Sequence, residues 1–122
     1  MNRDEAFQWI MAGHSALIAE ENDCDEEAPF VEVLRLWRFR YMEAALALLQ
    51  ADQEDCKVLA RSAKNIAKSY LRGLGSNVVK YLRPSMRRQI LYFGARFALT
   101  LAAILDNVDW VDAPTFTARV SE

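Results

Sequence analysis

The fold class of this chain is decided by residues 29–51, "PFVEVLRLWRFRYMEAALALLQA", where no glycine occurs and the only proline is Pro29, the first residue. Apolar residues recur there at spacings of three and four, which is the pattern of an amphipathic helix. One continuous face of that helix consists of Phe30, Val33, Leu34, Trp37, Tyr41, Ala44, Ala45 and Leu48. Such a face has to pack against other helices, so the stretch predicts an all-α protein.

The same stretch carries a second apolar face, nearly opposite the first. It consists of Val31, Phe39, Met42, Leu46 and Leu49. A helix that is apolar on two sides is either central in its own domain or shared with a partner. We therefore expect self-association into a homodimer, through Phe39, Met42, Leu46 and Leu49.

The remaining residues indicate further helices, because the 122-residue chain has only four glycines and three prolines to make turns. We expect a single domain over residues 1–122, a compact bundle of four main helices plus one short helix and an extended C-terminal arm. Residues 97–105 are apolar on every side apart from Thr100, which predicts that this part of the last helix is buried. The predicted main helices cover 3–21, 29–51, 54–73 and 85–107, the short helix 77–83 and the arm 108–122.

Charge is strongly segregated along the chain, although the net charge is only −2. Residues 1–56 hold thirteen acids and four bases, whereas residues 57–96 hold ten bases and no acid. Exposed helix faces commonly mix both signs, with an acid four residues before a lysine. The segment 57–96 therefore suggests a surface for an anionic partner, while a solvated helix face is the simpler alternative, since Lys and Arg are good helix formers.

Two groups of bases form the candidate surface. The first lies on the third helix within an arc of about 80°, at 100° per residue. The second surrounds the start of the last helix, where positive charge opposes the helix dipole and free N–H groups can hold an anion. The candidate partner- or anion-binding residues are Lys57, Arg61, Lys64, Lys68, Arg72, Lys80, Arg83, Arg87 and Arg88.

Three targets fit this basic segment: an acidic surface of another protein, the phosphates of a nucleic acid, or the acidic half of this chain itself. A sequence pI near 5.5 and the lack of an aromatic stacking platform among the bases disfavour nucleic acid. We therefore expect a small non-enzymatic protein-binding regulator, adaptor or inhibitor, with an immunity-type factor among the candidates. A nucleic-acid-associated regulator that uses residues 57–96 is the alternative.

Residues for catalysis and metal binding are scarce. His14 is the only histidine and lies on the apolar face of the first helix, where a packed residue is the usual role. Cys24 and Cys56 cannot form a zinc site by themselves. The acidic run 20–27 lacks the glycine and final glutamate of a calcium loop. We expect no enzyme and no catalytic, cofactor-binding or metal-binding residue; an enzyme built around His14 is the weakest alternative.

Membrane and export signals are weak as well. The first residues carry acids and no apolar signal region. The longest apolar stretch, residues 90–105, includes Arg96 and falls short of the roughly 20 residues that span a bilayer. We expect a cytoplasmic protein without a membrane span.

Overall fold

The computed structural model describes residues 1–23, 28–72 and 84–110. Within these ranges the backbone forms four α-helices and no strand: α1 (Arg3–Asn22), α2 (Ala28–Leu49), α3 (Gln53–Leu71) and α4 (Pro84–Asp106). The prediction of an all-α bundle is confirmed, and the helix boundaries lie within two residues of the predicted ones. The predicted short helix over 77–83 lies outside the described residues, as does the predicted arm from residue 111 onward.

Local side chains start two of the helices. The Asn2 side-chain oxygen accepts a hydrogen bond from the Glu5 backbone N–H at 2.8 Å, and the Asp52 carboxylate accepts one from the Asp55 N–H at 3.0 Å. These are N-cap contacts, each of which satisfies an N–H group that the helix leaves unpaired. Acidic residues in the first turns of α1 and α3 also favour the helix dipole there.

The turn between α2 and α3 is tight because Ala51 adopts a left-handed conformation, with φ of 54°. The Asp52 N–H donates to the Ala47 carbonyl at 2.9 Å, and the Ala51 N–H donates to the Leu48 carbonyl at 3.2 Å. This pair of bonds is a Schellman motif, in which glycine usually occupies the position of Ala51. The chain therefore reverses within three residues, and α3 returns antiparallel to α2.

The bundle consists of two antiparallel hairpins, since α1 packs mainly on α2 and α3 mainly on α4. In the first hairpin the Tyr41 ring lies over Gly13, and in the second the Tyr70 ring lies over Gly94. Diagonal contact between α2 and α4 joins the hairpins: the Tyr41 hydroxyl donates to the Phe97 carbonyl at 2.7 Å. The chain start also lies at the end of α4, because the Met1 amino group donates to the Asn107 carbonyl at 2.9 Å.

One hydrophobic core runs through all four helices. Trp37 and Tyr41 are its largest fully buried side chains, and Ile10, Leu17, Leu34, Leu48, Ile90 and Leu101 fill the space around them. Half-buried Trp110 packs against this core just after α4. Both α2 and α4 therefore contribute strongly to the buried centre.

Residues 97–105, which the sequence predicts to be buried, are buried on the inner side of α4 only. Leu101 is fully buried and Ile104 nearly so, but Leu99, Thr100 and Ala103 are exposed. The reason is geometric: in a four-helix bundle each helix occupies a corner and turns only part of its circumference to the core. Leu99 and Ala103 lie on the outer side of that corner.

One helix segment, Arg88–Asp106, is long and apolar enough to cross a membrane by length and composition, with a mean hydropathy of 1.3. Its inner side chains form part of the core, and 44% of the segment is buried inside the fold. The central helix of a water-soluble bundle meets the same criterion, so the segment is weak evidence for a membrane span. A water-soluble bundle accounts for it equally well.

Candidate functional site

The predicted basic residues of α3 form a stripe on its outer surface. Lys57, Arg61, Lys64, Lys68 and Arg72 are all exposed. Ser62 marks the side of α3 that faces α2, since its hydroxyl accepts a hydrogen bond from the Arg40 guanidinium at 3.2 Å. Lys64 marks the other side, because its ammonium group pairs with the Asp106 carboxylate of α4. The stripe therefore lies on the side of α3 that is turned away from α2 and toward α4.

A line of exposed residues on α4 borders this stripe. Arg88, Tyr92, Leu99 and Asp106 fall within an arc of about 40° at 100° per residue. Asp106 contacts Lys64, so the whole line runs along the α3 side of the outer surface of α4. We call the combined surface the basic face and define it by Lys57, Arg61, Lys64, Lys68, Arg72 and Arg88.

Three of the predicted bases fall outside what the structure describes. Lys80 and Arg83 lie outside the described residues, as does the side chain of Arg87. The predicted anion site at the start of α4 is therefore represented in the structure by Arg88 alone.

Exposed apolar side chains lie among these bases, and sequence reasoning missed them. They are Leu71 on α3 and Tyr92 and Leu99 on α4, with Tyr92 65% exposed. On α4, Leu99 lies between Gly94 and Asp106. Gly94 contacts Tyr70 of α3, and Asp106 contacts Lys64 of α3. Leu99 therefore lies beside the α3 segment between those two contacts, which carries Lys68. The basic face is thus bordered by exposed apolar side chains on its α4 side.

Two of the bases have acidic neighbours. Besides the Lys64–Asp106 pair, the Lys57 ammonium lies 3.6 Å from the Glu54 carboxylate. Both pairs are solvent-exposed, and such pairs contribute about 0–1 kcal/mol to stability. Within the described part of the chain, no ion pair involves Arg61, Lys68, Arg72 or Arg88. These four bases are the part of the basic face that is open to a partner.

Glu21, in the acidic run 20–27, contacts α2 instead of the basic face. Its carboxylate accepts hydrogen bonds from both Arg38 and Arg35, and the first of these bonds is the main reason that the pKa of Glu21 is lowered. Residues 24–27 lie outside the described residues. For Glu21, then, the alternative of a contact between the basic segment and the acidic half of this chain does not hold.

Four residues of the second apolar face of α2 are exposed, whereas Val31 is half-buried. Phe39, Met42, Leu46 and Leu49 form what we call the α2 strip, and their side chains are between 38% and 66% exposed. The strip lies opposite the buried Trp37 and Tyr41 face. The sequence left open whether this face is central in the domain or shared with a partner; its residues are exposed, and their role in self-association stays a prediction.

Cys56 and His14, the cysteine and histidine that the structure describes, lie on different helices, α3 and α1. Burial raises the pKa of the Cys56 thiol to about 12, helped by the charges of Asp55 and Asp52, so Cys56 is a packing residue at neutral pH. His14 is half-buried on α1. A shallow groove of about 380 Å³ along α3 is lined by Val58, Arg61, Ser62, Asn65, Ile66 and Ser69. Arg61 is the only charged residue in that lining.

Metal-binding side chains do not cluster in the described ranges, where no group of three or more His, Cys, Asp or Glu residues could hold an ion. No protein-family model matches the chain, and neither the curated proteins nor the solved structures contain a match.

Proposed function

We propose that this chain is a non-enzymatic regulator or adaptor that binds an acidic surface of another protein through its basic face. The observation that supports this proposal is the mixed character of the face. Four bases without described acidic partners lie on the same outer surface as the exposed side chains of Leu71, Tyr92 and Leu99. Protein interfaces commonly combine apolar area with an enrichment of aromatic residues and Arg.

The physical roles of the two kinds of residue differ. Arg61, Lys68, Arg72 and Arg88 would raise the rate of encounter with an acidic partner, because complementary charge steers association. Tyr92 and Leu99 would contribute the salt-resistant part of the affinity, since buried aromatic anchors commonly dominate interface energies. An inhibitor, including an immunity-type factor, would use such a surface to cover its target.

Nucleic-acid binding is the second candidate, and Tyr92 is the observation that favours it. A base can stack on an exposed aromatic ring among Arg and Lys side chains, a contact worth about 1–3 kcal/mol. The sequence pI near 5.5 favours the protein partner instead, because general nucleic-acid binders are usually basic domains.

The test is a triple charge reversal, Arg61→Glu, Lys68→Glu and Arg72→Glu, in a pull-down from nuclease-treated extract of the native host. Lys57 and Lys64 are left unchanged because they contact Glu54 and Asp106. We expect the triple variant to lose a protein partner that the unchanged protein retains. The control, Gln8→Glu with Ala12→Glu and Ala16→Glu, adds negative charge on the exposed side of α1 and should retain it.

Two results would contradict the proposal. The triple variant could retain the partner, in which case the basic face is only a solvated surface. Alternatively, binding could disappear with nuclease treatment. A single-stranded oligonucleotide would then bind with a log–log salt slope steeper than about −4, and Tyr92→Ala would weaken that binding, which establishes the nucleic-acid candidate.

We also propose that the protein is cytoplasmic and forms a homodimer through the α2 strip. The exposed large side chains of the strip support the homodimer, because contiguous apolar patches on soluble proteins commonly mark interaction sites.

A further inference from the structure

The α2 strip has the spacing of a helix–helix seam. Phe39, Met42, Leu46 and Leu49 follow one another at intervals of three, four and three residues, which are the a and d positions of a heptad. We infer that a second copy of this chain covers the strip, with the two α2 helices antiparallel. The resulting dimer would present two basic faces directed away from each other. It could then bind acidic surfaces at two places, a role that rests on the proposed function above.

The area of the strip suits a dimer. Leu36 and Trp9 are also exposed large side chains. The Gly13–Tyr41 contact between the antiparallel α1 and α2 places Trp9, four residues before Gly13, at the level of Ala45 beside the strip. Six such side chains each offer on the order of 100 Å². Two copies would then bury at most about 1,200 Å², which is the lower end of the range for specific protein interfaces.

Charge at the two ends of the strip decides the orientation. Near the N-terminal end, Arg35 and Arg38 share the single carboxylate of Glu21. Beyond the C-terminal end, Asp52 and Glu54 are exposed. An antiparallel pair centred on the strip brings the arginines of each copy to the α2–α3 turn of the other. A parallel pair would bring acid beside acid and arginine beside arginine, which is unfavourable.

The position of the strip leaves both basic faces uncovered. α2 lies diagonally across the bundle from α4, and the strip is on the side of α2 opposite the residues that contact α4, Phe30 and Tyr41. The basic face lies on the sides of α3 and α4 that are turned away from α2. The two strips form a single interface on a two-fold axis, which closes the assembly at two copies. Each dimer would then bind two acidic partners, or bind one partner at two points.

Sedimentation velocity at tens of micromolar tests the interface with a matched pair of variants. Leu46→Glu changes a strip residue that is 51% exposed, and Leu99→Glu makes the same change at a residue on α4 that is 47% exposed. We expect a dimer for the unchanged chain and for Leu99→Glu, and a monomer for Leu46→Glu. A monomeric unchanged chain, or a dimer that survives Leu46→Glu, overturns the inference.

The orientation of the two α2 helices is tested by spin labels on an introduced cysteine, either Glu32→Cys or Gln50→Cys. Both variants also carry Cys24→Ser, so that the buried Cys56 is the only other cysteine. At 1.5 Å per residue, an antiparallel pair centred near residue 44 separates the two Glu32 labels by at least about 35 Å and the two Gln50 labels by about 20 Å. A parallel pair would make the two distances short and nearly equal, which contradicts the antiparallel arrangement.

Bivalence is tested on surfaces coated with polyglutamate at high and at low density. On the dense surface the dimer should dissociate about 100-fold more slowly than Leu46→Glu, whereas on the sparse surface the two rates should agree. Equal rates at both densities show that the dimer binds through one face only. If the triple variant of the basic face binds polyglutamate as well as the unchanged chain, the proposed function fails while the dimer stands.

Discussion

The two hairpins of the bundle share one kind of interhelical contact and yet expose different surfaces, one apolar and the other basic. In each of them a tyrosine ring of one helix lies over a glycine of the other. A Cβ atom added to Gly13 would be 2.3 Å from Tyr41 Cε2, and one added to Gly94 would be 2.7 Å from Tyr70 Cε2. Both distances are shorter than nonbonded carbon atoms allow, so glycine determines how closely the helices approach in both hairpins.

Apart from this glycine–tyrosine contact, the hairpins differ in the residues that they expose. The α1–α2 hairpin exposes the α2 strip, and the α3–α4 hairpin exposes the basic face. The charge segregation of the sequence becomes a spatial one because each half of the chain folds on itself. The comparison shows that internal packing and surface character vary independently in this fold. The surfaces are therefore where the function of this protein should be sought.

The largest expected effect tests whether the hairpins share one core. Leu48→Ala in α2 and Leu101→Ala in α4 each remove a fully buried side chain and should cost about 2–5 kcal/mol. Urea unfolding followed by circular dichroism should show a single transition for both variants. Exposed Leu99→Ala is the control and should change stability by less than about 0.5 kcal/mol. Two separate transitions would mean that the hairpins unfold independently.

The next effect distinguishes the two glycine contacts. Gly13→Ala should cost about 1–3 kcal/mol, because Tyr41 is fully buried and hydrogen-bonded and cannot move away. Gly94→Ala should cost less than about 1 kcal/mol, since half-buried Tyr70 can rotate and alanine favours the helix. Ala12→Gly, at an exposed position of α1, measures the difference in helix propensity between alanine and glycine without a steric contact. Equal losses at Gly13 and Gly94 would contradict this distinction.

A smaller effect concerns the hydroxyl of Tyr41, which joins the first hairpin to α4. Tyr41→Phe removes the bond to the Phe97 carbonyl and should cost about 0.5–1.5 kcal/mol, whereas Tyr70→Phe should cost almost nothing. The hydroxyl also affects the response to alkali. Burial raises the pKa of Tyr41 far above its usual value, so this residue favours the unfolded state once the pH exceeds about 10.

Unfolding at pH 8 and pH 11 checks both parts of this prediction. Stability should fall less with pH for Tyr41→Phe than for the unchanged chain, because one buried group no longer ionises on unfolding. An identical decline in the two proteins would show that Tyr41 does not limit alkaline stability.

The smallest effects involve the ion pair at the edge of each hairpin. The Arg38 and Arg35 guanidiniums lower the pKa of Glu21, so its contribution is present above the ordinary glutamate pKa and is lost as the pH falls through the lower folded value. Glu21→Gln should therefore flatten the decline of stability below about pH 4. Asp106→Asn, which removes the pairing of Lys64, should cost at most about 1 kcal/mol at pH 7. An unaltered acid profile in Glu21→Gln would contradict the assigned pKa shift.

The sequence by itself determined the helices, because their causes are local. Asn2 caps α1 through the amide N–H three residues later, and the apolar spacing of residues 29–51 sets the two faces of α2. Exposure of the five α3 bases also followed from spacing alone, since Lys57 to Arg72 share one side of a helix whose other side is apolar. The α2 strip was predictable for the same reason.

Only the tertiary structure decided which outer residues lie together. Leu99 lies in the run 97–105 that the sequence predicts to be buried, and Tyr92 lies in the longer apolar stretch 90–105. Both border the basic face because α4 occupies a corner and pairs with α3 in one register. The contacts of Gly13 with Tyr41 and of Gly94 with Tyr70 depend on the same interhelical register. Spacing within a single helix contains no information about the register between helices, which is set by how side chains of different helices interlock.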